Sequence, residues 1–167
     1  IWLYLLFKEY TTLGKESYSK LTFLFVLSCL LNISWLFSFH HEKFVLSTFV
    51  IIALLIVIIA IYLLYPVGDR RFSGRLPFSI YLGWISVATI VNISYTLKYY
   101  GISLGIDEVT GTIILLIIAG LIAIIGRYRA NDPYFALVFV WAIVGVAQSN
   151  ENSTLVLAAY TIALVIF

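Results

Sequence analysis

Charged residues are scarce in this chain. Asp, Glu, Lys and Arg make up only 11% of its 167 residues, whereas 63% are hydrophobic and the mean hydropathy is +1.08. A soluble domain carries roughly 25% charged residues, so the composition excludes an ordinary soluble protein. Several uncharged apolar runs are about 20 residues long, which is the length that a helix needs to cross a bilayer. We therefore expect an integral membrane protein.

Methionine is absent and cysteine occurs once. With Cys29 alone, neither an internal disulfide nor a cysteine-based metal site can form. The net charge is only +2 and the basic residues are scattered, which argues against nucleic acid as a partner. Because the sequence opens on an apolar run without an initiator methionine, we expect a fragment truncated within its N-terminal part.

Seven apolar segments without Asp, Glu, Lys or Arg can be counted. Segments A to G comprise residues 1–7, 21–39, 44–65, 76–97, 109–126, 134–148 and 153–167. Their apolar runs are continuous rather than alternating, and lipid offers no partner to an open strand, so helices are favoured. The sequence predicts an all-α fold: one polytopic transmembrane domain over residues 1–167, with about seven helices of which the first is truncated.

Lysine and arginine are distributed unevenly between the predicted connections. The connections after B and D hold only Lys43 and Lys98. The connections after A, C and E hold the other eight of the ten: Lys8, Lys15, Lys20, Arg70, Arg71, Arg75, Arg127 and Arg129. By the positive-inside rule this second set faces the cytoplasm. We therefore expect a multi-pass membrane protein with cytoplasmic loops at 8–20, 66–75 and 127–133.

Carboxamides and tryptophans are the informative residues inside the segments. Segments B, D and F each carry one carboxamide and one tryptophan on a single helix face, along which residues follow one another at steps of three or four. The pairs are Asn32 with Trp35, Trp84 with Asn92, and Trp141 with Gln148. An amide that faces lipid costs free energy, so these faces should point into the bundle. Two interpretations stay open: interhelical hydrogen bonds worth about 1 kcal/mol each, or an aromatic pocket with amide donors.

Two of these motifs resemble a known family. Residues 81–92, Tyr-Leu-Gly-Trp-Ile-Ser-Val-Ala-Thr-Ile-Val-Asn, resemble the last helix of the TspO/MBR family, the tryptophan-rich sensory or translocator proteins. Residues 30–37, Leu-Leu-Asn-Ile-Ser-Trp-Leu-Phe, resemble the family's third helix. The resemblance covers residues 1–97 as a core that lacks the first helix and the loop over the ligand pocket. Residues 98–167 would be additional membrane helices, as in a longer bacterial branch.

The resemblance also implies a function. The family binds porphyrins and other flat hydrophobic ligands, which implies a tetrapyrrole-binding or sensory protein here. Its pocket residues carry over to Asn32, Trp35, Tyr81, Trp84, Ala88 and Asn92. Trp35 and Trp84 would stack on a flat macrocycle, and Trp141 and Gln148 are further candidates from the extra segments. Porphyrin or haem would be the ligand, with no cofactor required and no metal site or catalytic residue expected.

Other function classes compete with a binding protein. A coupled transporter usually keeps an ionisable residue at membrane depth. The segments hold none, which leaves an uncoupled transporter of a hydrophobic compound. A structural membrane subunit also fits. An enzyme is not expected, because no nucleophile–base pair occurs, although a porphyrin breakdown would need only tryptophans near the ligand. The expected partners are the lipid bilayer, the hydrophobic ligand and a second copy in a homodimer.

Two weaker motifs have simpler explanations. Val91, Tyr95 and Lys98 match a loose sterol-contact pattern, which a helix end with an interfacial tyrosine and a lysine also produces by chance. His40-His41-Glu42 contains metal-ligand residue types, but these residues are adjacent and do not share a helix face. We interpret that motif as a solvated loop.

Overall fold

The computed structural model describes residues 2–69, 71, 74–102 and 105–166, with side chains from residue 16 onward. Its six α-helices are α1 (Trp2–His40), α2 (Phe44–Tyr62), α3 (Leu76–Tyr99), α4 (Glu108–Arg129), α5 (Pro133–Gln148) and α6 (Ser153–Ile166). No strand occurs within these described ranges. The predicted all-α fold is confirmed.

Four helical stretches are long and apolar enough to cross a bilayer. They are Glu16–His40 within α1, and the whole of α2, α3 and α4. The remaining helices, α5 and α6, have 16 and 14 residues. At ~1.5 Å per residue they are about 24 and 21 Å long, shorter than a ~30 Å hydrocarbon core. The chain is therefore a multi-pass integral membrane protein.

Segments A and B form one helix, so the predicted loop at 8–20 is wrong, and the described residues form six helices rather than about seven. α1 has 39 residues without interruption. Residues 8–20 contain no proline and a single glycine, and Lys20 Nζ lies 2.7 Å from Glu16 Oε1 in an i,i+4 pair that favours helix. Polar residues end the part of a helix that lies in lipid, but they do not end the helix itself.

Two acidic residues begin the later helices. Asp107 caps α4 by accepting from the Thr110 backbone N–H at 3.0 Å. Asp132 caps α5 by accepting from the Phe135 backbone N–H at 3.1 Å, and Pro133 follows at a position where its missing N–H costs nothing. These side chains satisfy N–H groups that a helix start leaves without a partner.

The chain divides into two compact units, residues 1–85 and 86–167. In the first unit α1 packs against α2. The buried face of α2 repeats at steps of three and four, as a helix packed along one seam requires, and its fully buried large residues are Ile51, Leu54, Ile58 and Ile61. Branched aliphatic side chains thus fill the core of this unit.

In the second unit α4, α5 and α6 pack against one another. Small residues dominate the contacts, and the buried ones are Ala119, Gly120, Ala123, Ala136, Ala147, Ala159 and Ala163. A Cβ atom added at Gly120 would lie 2.7 Å from Ile162 Cγ2, and one added at Gly126 would overlap the Phe135 ring. The backbones therefore approach as closely as small residues allow, which is a common way for helices to associate in lipid.

Candidate functional site

Two of the predicted ligand-binding residues bond to each other in the first unit. Asn32 Nδ2 on α1 donates to Tyr81 Oη on α3 at 3.2 Å, and both residues are half-buried. The bond joins two helices across 49 positions of sequence. It is the interhelical contact expected of an amide that avoids lipid.

Aromatic contacts position the start of α3 for this bond. The Phe78 ring stacks on Tyr65 at a centroid distance of 5.6 Å and meets Phe25 of α1 edge-on at 6.5 Å. Along α1, Phe25 precedes Asn32, and along α3, Phe78 precedes Tyr81. Both contacts follow the same chain order, so α1 and α3 run parallel. Phe78 and Tyr65 are positioning residues that the sequence motifs did not indicate.

The Arg75 side chain is buried at the beginning of α3. Its guanidinium carbon lies 3.8 Å from the centroid of the Tyr62 ring, and its Nη1 donates to the Pro66 carbonyl at 3.2 Å. The residue is only 3% exposed. The sequence predicts Arg75 as a loop residue that marks topology. The structure gives it an additional role, because it ties the end of α2 to the start of α3.

A tryptophan follows the bonded pair on each of the two helices. Trp35 comes three residues after Asn32 and is half-buried, with its ring centroid 6.4 Å from that of Phe39. Trp84 comes three residues after Tyr81 and is 47% exposed. Since α1 and α3 run parallel, both indoles lie on the same side of the Asn32–Tyr81 bond, about 4.5 Å further along each helix. Trp84 is exposed rather than turned into the bundle, so the expected inward orientation is wrong for this residue, and part of its ring surface is accessible.

The remaining predicted positions on α3 belong to the second unit. Ala88 is half-buried and Asn92 is 2% exposed. The Asn92 amide donates to Thr96 Oγ1 at 3.4 Å, and that hydroxyl donates back to the Asn92 carbonyl at 2.8 Å. These contacts stabilise the last turns of α3 itself.

On α5 the structure reverses the predicted orientation. Trp141 is 66% exposed and Gln148 is also exposed. The expectation that this face points into the bundle is wrong. The opposite face carries the residues that fit against α4 and α6: Phe135, Ala136, Phe139, Ile143 and Ala147. In lipid, close packing rather than apolarity decides which face is buried, and an outward indole is tolerated.

The connection between α2 and α3 contains a bidentate ion pair. Arg71 Nη2 lies 2.7 Å from Asp69 Oδ2, and Arg71 Nε donates to Asp69 Oδ1 at 3.0 Å. These hydrogen bonds from Arg71 hold the pKa of the Asp69 carboxyl below its ordinary value. The pair therefore fixes a folded connection at this end of the first unit.

The search for a metal centre is negative among the described residues. Within the ranges given above, no group of three or more His, Cys, Asp or Glu could hold a metal ion. The rings of His40 and His41 lie 5.5 Å apart at an exposed helix end. The arrangement at Asn32 and Tyr81 offers hydrogen bonds and aromatic surface, which are the elements of a binding site.

The second unit contains a half-enclosed cavity of about 280 Å³ between α3, α4 and α5. Its wall includes Phe139 and Ile143 of α5, Leu116 of α4, and Tyr95 and Lys98 of α3. None of the eight candidate residues named from the sequence lines it. Three of its wall residues, Val91, Tyr95 and Lys98, form the loose sterol-contact pattern that was interpreted as a chance match. The cavity itself was missed because most of its wall is aliphatic.

The chain was compared with protein-family models, curated proteins and solved structures. A family model described as TSPO-like protein matches residues 1–167. No curated protein and no solved structure gives a match. The family match extends over residues 98–167 as well as over the part that carries the two motifs.

Proposed function

The chain belongs to the TSPO-like protein family, and from this premise we propose that it binds or senses a flat hydrophobic small molecule, a tetrapyrrole, within the membrane. The observation that carries the proposal is the Asn32–Tyr81 hydrogen bond with one tryptophan beyond it on each helix. Family membership supports the class of protein, and the local geometry of the first unit supports the ligand.

The geometry suits a flat aromatic ligand. Two indoles on parallel helices, Trp35 and Trp84, offer faces for stacking, which adds about 0.5 to 1.5 kcal/mol per aromatic contact beyond the burial of area. Ala88 lies one turn after Trp84 on the same face of α3, and its small side chain would leave room for the ligand. A planar macrocycle would lie against the indoles, with the polar pair at its edge.

The polar pair has hydrogen-bonding capacity beyond its own bond. Tyr81 Oη accepts from Asn32 Nδ2, so the phenolic proton remains a donor of its own. A porphyrin carries carboxylates on its rim, and Tyr81 would donate to one of them. The Asn32 carbonyl oxygen would accept from a ligand N–H.

The proposal includes the orientation in the bacterial inner membrane. Although α1 is continuous, the basic residues still alternate between successive connections: Arg71 and Arg75 lie between α2 and α3 and Arg127 and Arg129 end α4, whereas Lys43 follows α1 and Lys98 ends α3. The arginine-bearing connections would face the cytoplasm. In a Cys29→Ser background, an impermeant maleimide added to intact cells should label His41→Cys and spare Val67→Cys. The opposite pattern would invert the orientation.

Titration with protoporphyrin tests the ligand. The full chain in nanodiscs is titrated while the Soret band of the porphyrin is followed. We expect saturable binding that Trp35→Leu and Trp84→Leu each weaken roughly three- to tenfold, the equivalent of one aromatic contact. Trp141→Leu is the control, because that indole is 66% exposed on α5, and it should bind like the unmodified chain.

Two results would contradict the proposal. Binding that rises linearly with porphyrin would be partition into lipid. Saturable binding that is equal in all three variants would place the ligand elsewhere, and the Asn32–Tyr81 bond would then serve only to hold α1 and α3 together.

A further inference from the structure

The cavity in the second unit is narrow and elongated. Its volume of about 280 Å³ lies at the lower limit of the roughly 300 to 1,000 Å³ typical of small-molecule sites. Its lining residues on α4 lie between positions 112 and 119, and those on α5 lie between positions 139 and 146. At ~1.5 Å per residue, each stretch is about 10 Å long. A space of this volume and length admits a linear chain and excludes a macrocycle.

One end of the cavity is apolar and the other is polar. Val87, Ala119 and Phe139 line the apolar end. The polar end carries three hydroxyls and one ammonium group, from Ser94, Tyr95, Thr112 and Lys98. An ion pair between Lys98 and Glu108, with 2.6 Å between Nζ and Oε1, brings the end of α3 to the start of α4. The cavity is therefore amphipathic along its length.

The charge at the polar end is positive and accessible. Lys98 is the one charged residue of the wall among the described residues. Its side chain is 72% exposed and that of its partner Glu108 is 81% exposed. An exposed ion pair of this kind contributes little to stability, so an incoming carboxylate can replace Glu108 beside Lys98 at small cost.

We propose that this cavity binds a single-chain anionic amphiphile of the fatty-acid class. Its hydrocarbon chain lies between Leu116 and Phe139, and its carboxylate accepts from Lys98. The apolar wall selects the chain, and the ammonium group selects an acid over its ester. The hydroxyl of Ser94, which also lines the cavity, provides a second donor to the carboxylate.

This site is independent of the proposed tetrapyrrole site. None of its wall residues is among the residues assigned to tetrapyrrole binding. On α3 the cavity uses Val91 and Ser94, which lie about two and three helical turns beyond Trp84 along the axis. Failure of either proposal therefore leaves the other standing.

Photo-cross-linking in nanodiscs tests the cavity directly. The full chain in phosphatidylcholine nanodiscs is irradiated with a diazirine-bearing palmitate, and the labelled residues are mapped by mass spectrometry. Labelling should saturate and should concentrate in 112–119 and 139–146. Laurate should displace the probe at a concentration about tenfold lower than methyl laurate, because only the acid makes a charge-assisted hydrogen bond.

Charge variants test the role of Lys98. Lys98→Gln should weaken displacement by laurate about tenfold while leaving methyl laurate unchanged. Glu108→Gln removes the competing carboxylate and should strengthen displacement by laurate a few-fold. Lys43→Gln is the control, because Lys43 is an exposed lysine at another helix end and does not line the cavity.

A size variant tests the cavity itself. Ala142→Phe places a ring in the wall and should abolish saturable labelling. Leu157→Phe on the exposed side of α6 should have no effect. The denaturant midpoint of Ala142→Phe, compared with that of the unmodified chain, checks that the variant still folds, and the charge variants keep the proposal testable if it does not.

Three results would overturn the proposal. Labelling that spreads over exposed positions such as Leu157 and Leu164 and persists in Ala142→Phe would be partition into lipid. A phosphatidylcholine photoprobe that labels the same stretches and resists laurate would mean that a membrane phospholipid occupies the cavity. Displacement by cholesterol that equals displacement by laurate and ignores Lys98→Gln would indicate a neutral sterol site.

Discussion

The two units of this protein use different side chains for helix packing. The first unit fills its α1–α2 interface with branched aliphatic residues such as Ile51 and Leu54, and adds the polar bond between Asn32 and Tyr81. The second unit brings α4, α5 and α6 together on alanine and glycine. Large side chains adapt to one another by changing rotamers, whereas a backbone contact at glycine has no freedom to adjust. The units should therefore fail under opposite kinds of substitution.

Enlarging a glycine in the second unit should give the largest effect. Gly126→Ala brings a methyl group into the rigid Phe135 ring, and overpacking this severe costs about 3 kcal/mol, the upper end of the usual range. Unfolding in a detergent–denaturant titration measures the loss. Gly111→Ala on the same helix is the control, since nothing lies within 4 Å of its added Cβ. Equal stability of the two variants would refute the close packing of α4 on α5.

Shortening a side chain in the first unit should give the next largest effect. Leu54 is 0% exposed, and Leu54→Ala leaves a cavity whose lost contacts cost about 2 kcal/mol. The same truncation at Leu63, which is 71% exposed, should cost little. The same denaturant titration measures both. If Leu63→Ala were the more damaging change, the seam assigned to α2 would be wrong.

Breaking the polar bond of the first unit should have a smaller effect. Tyr81→Phe removes the acceptor of Asn32 Nδ2, and interhelical hydrogen bonds in membranes contribute about 1 kcal/mol. Tyr128→Phe removes a hydroxyl from a residue that is 69% exposed and serves as control. An Asn32→Ala/Tyr81→Phe double-mutant cycle isolates the pair, and a coupling free energy of zero would contradict the bond.

The Asp69–Arg71 pair should produce the smallest change, visible only in acid. In the folded chain the hydrogen bonds from Arg71 hold the pKa of the Asp69 carboxyl below its ordinary value of 3.8. At a pH above 3.8 the Asp69 carboxyl is ionised in both the folded and the unfolded chain, so its stabilising contribution is complete. At a pH below 3.8 the carboxyl of the unfolded chain is protonated first, and the free energy of unfolding decreases as the pH falls until the folded carboxyl is protonated as well. Asp69→Asn should remove this acid-dependent part of the melting temperature, and an unchanged pH profile would count against the pair.

The sequence predicted most helices well and one connection wrongly. Segments C to G coincide closely with α2 to α6, because breakers and caps such as Pro66, Asp107 and Asp132 separate them. Residues 8–20 lack such breakers, and their polarity alone suggested a loop. Only the structure shows that the helix continues through them.

The candidate site was predictable where residue chemistry identifies it. Asn32 and Tyr81 were both named from motifs, and the structure brings them together. Trp141 and Gln148 show the same periodicity but face outward, because periodicity tells which residues share a face and not which face is packed. The second-unit cavity was not predicted, because a mostly aliphatic wall has no signature in residue types and because Val91, Tyr95 and Lys98, which line it, were interpreted as a chance pattern.

The continuity of α1 also has a mechanical consequence. A helix with an unbroken ladder of hydrogen bonds is stiff in torsion, so it turns as one rod. Any rotation imposed on α1 at Trp35 therefore appears, at nearly the same angle, in residues 2–15, some 30 Å or more away along the axis. The 39-residue helix can thus transmit a rotation from its membrane-embedded part to its polar N-terminal part without any change of secondary structure.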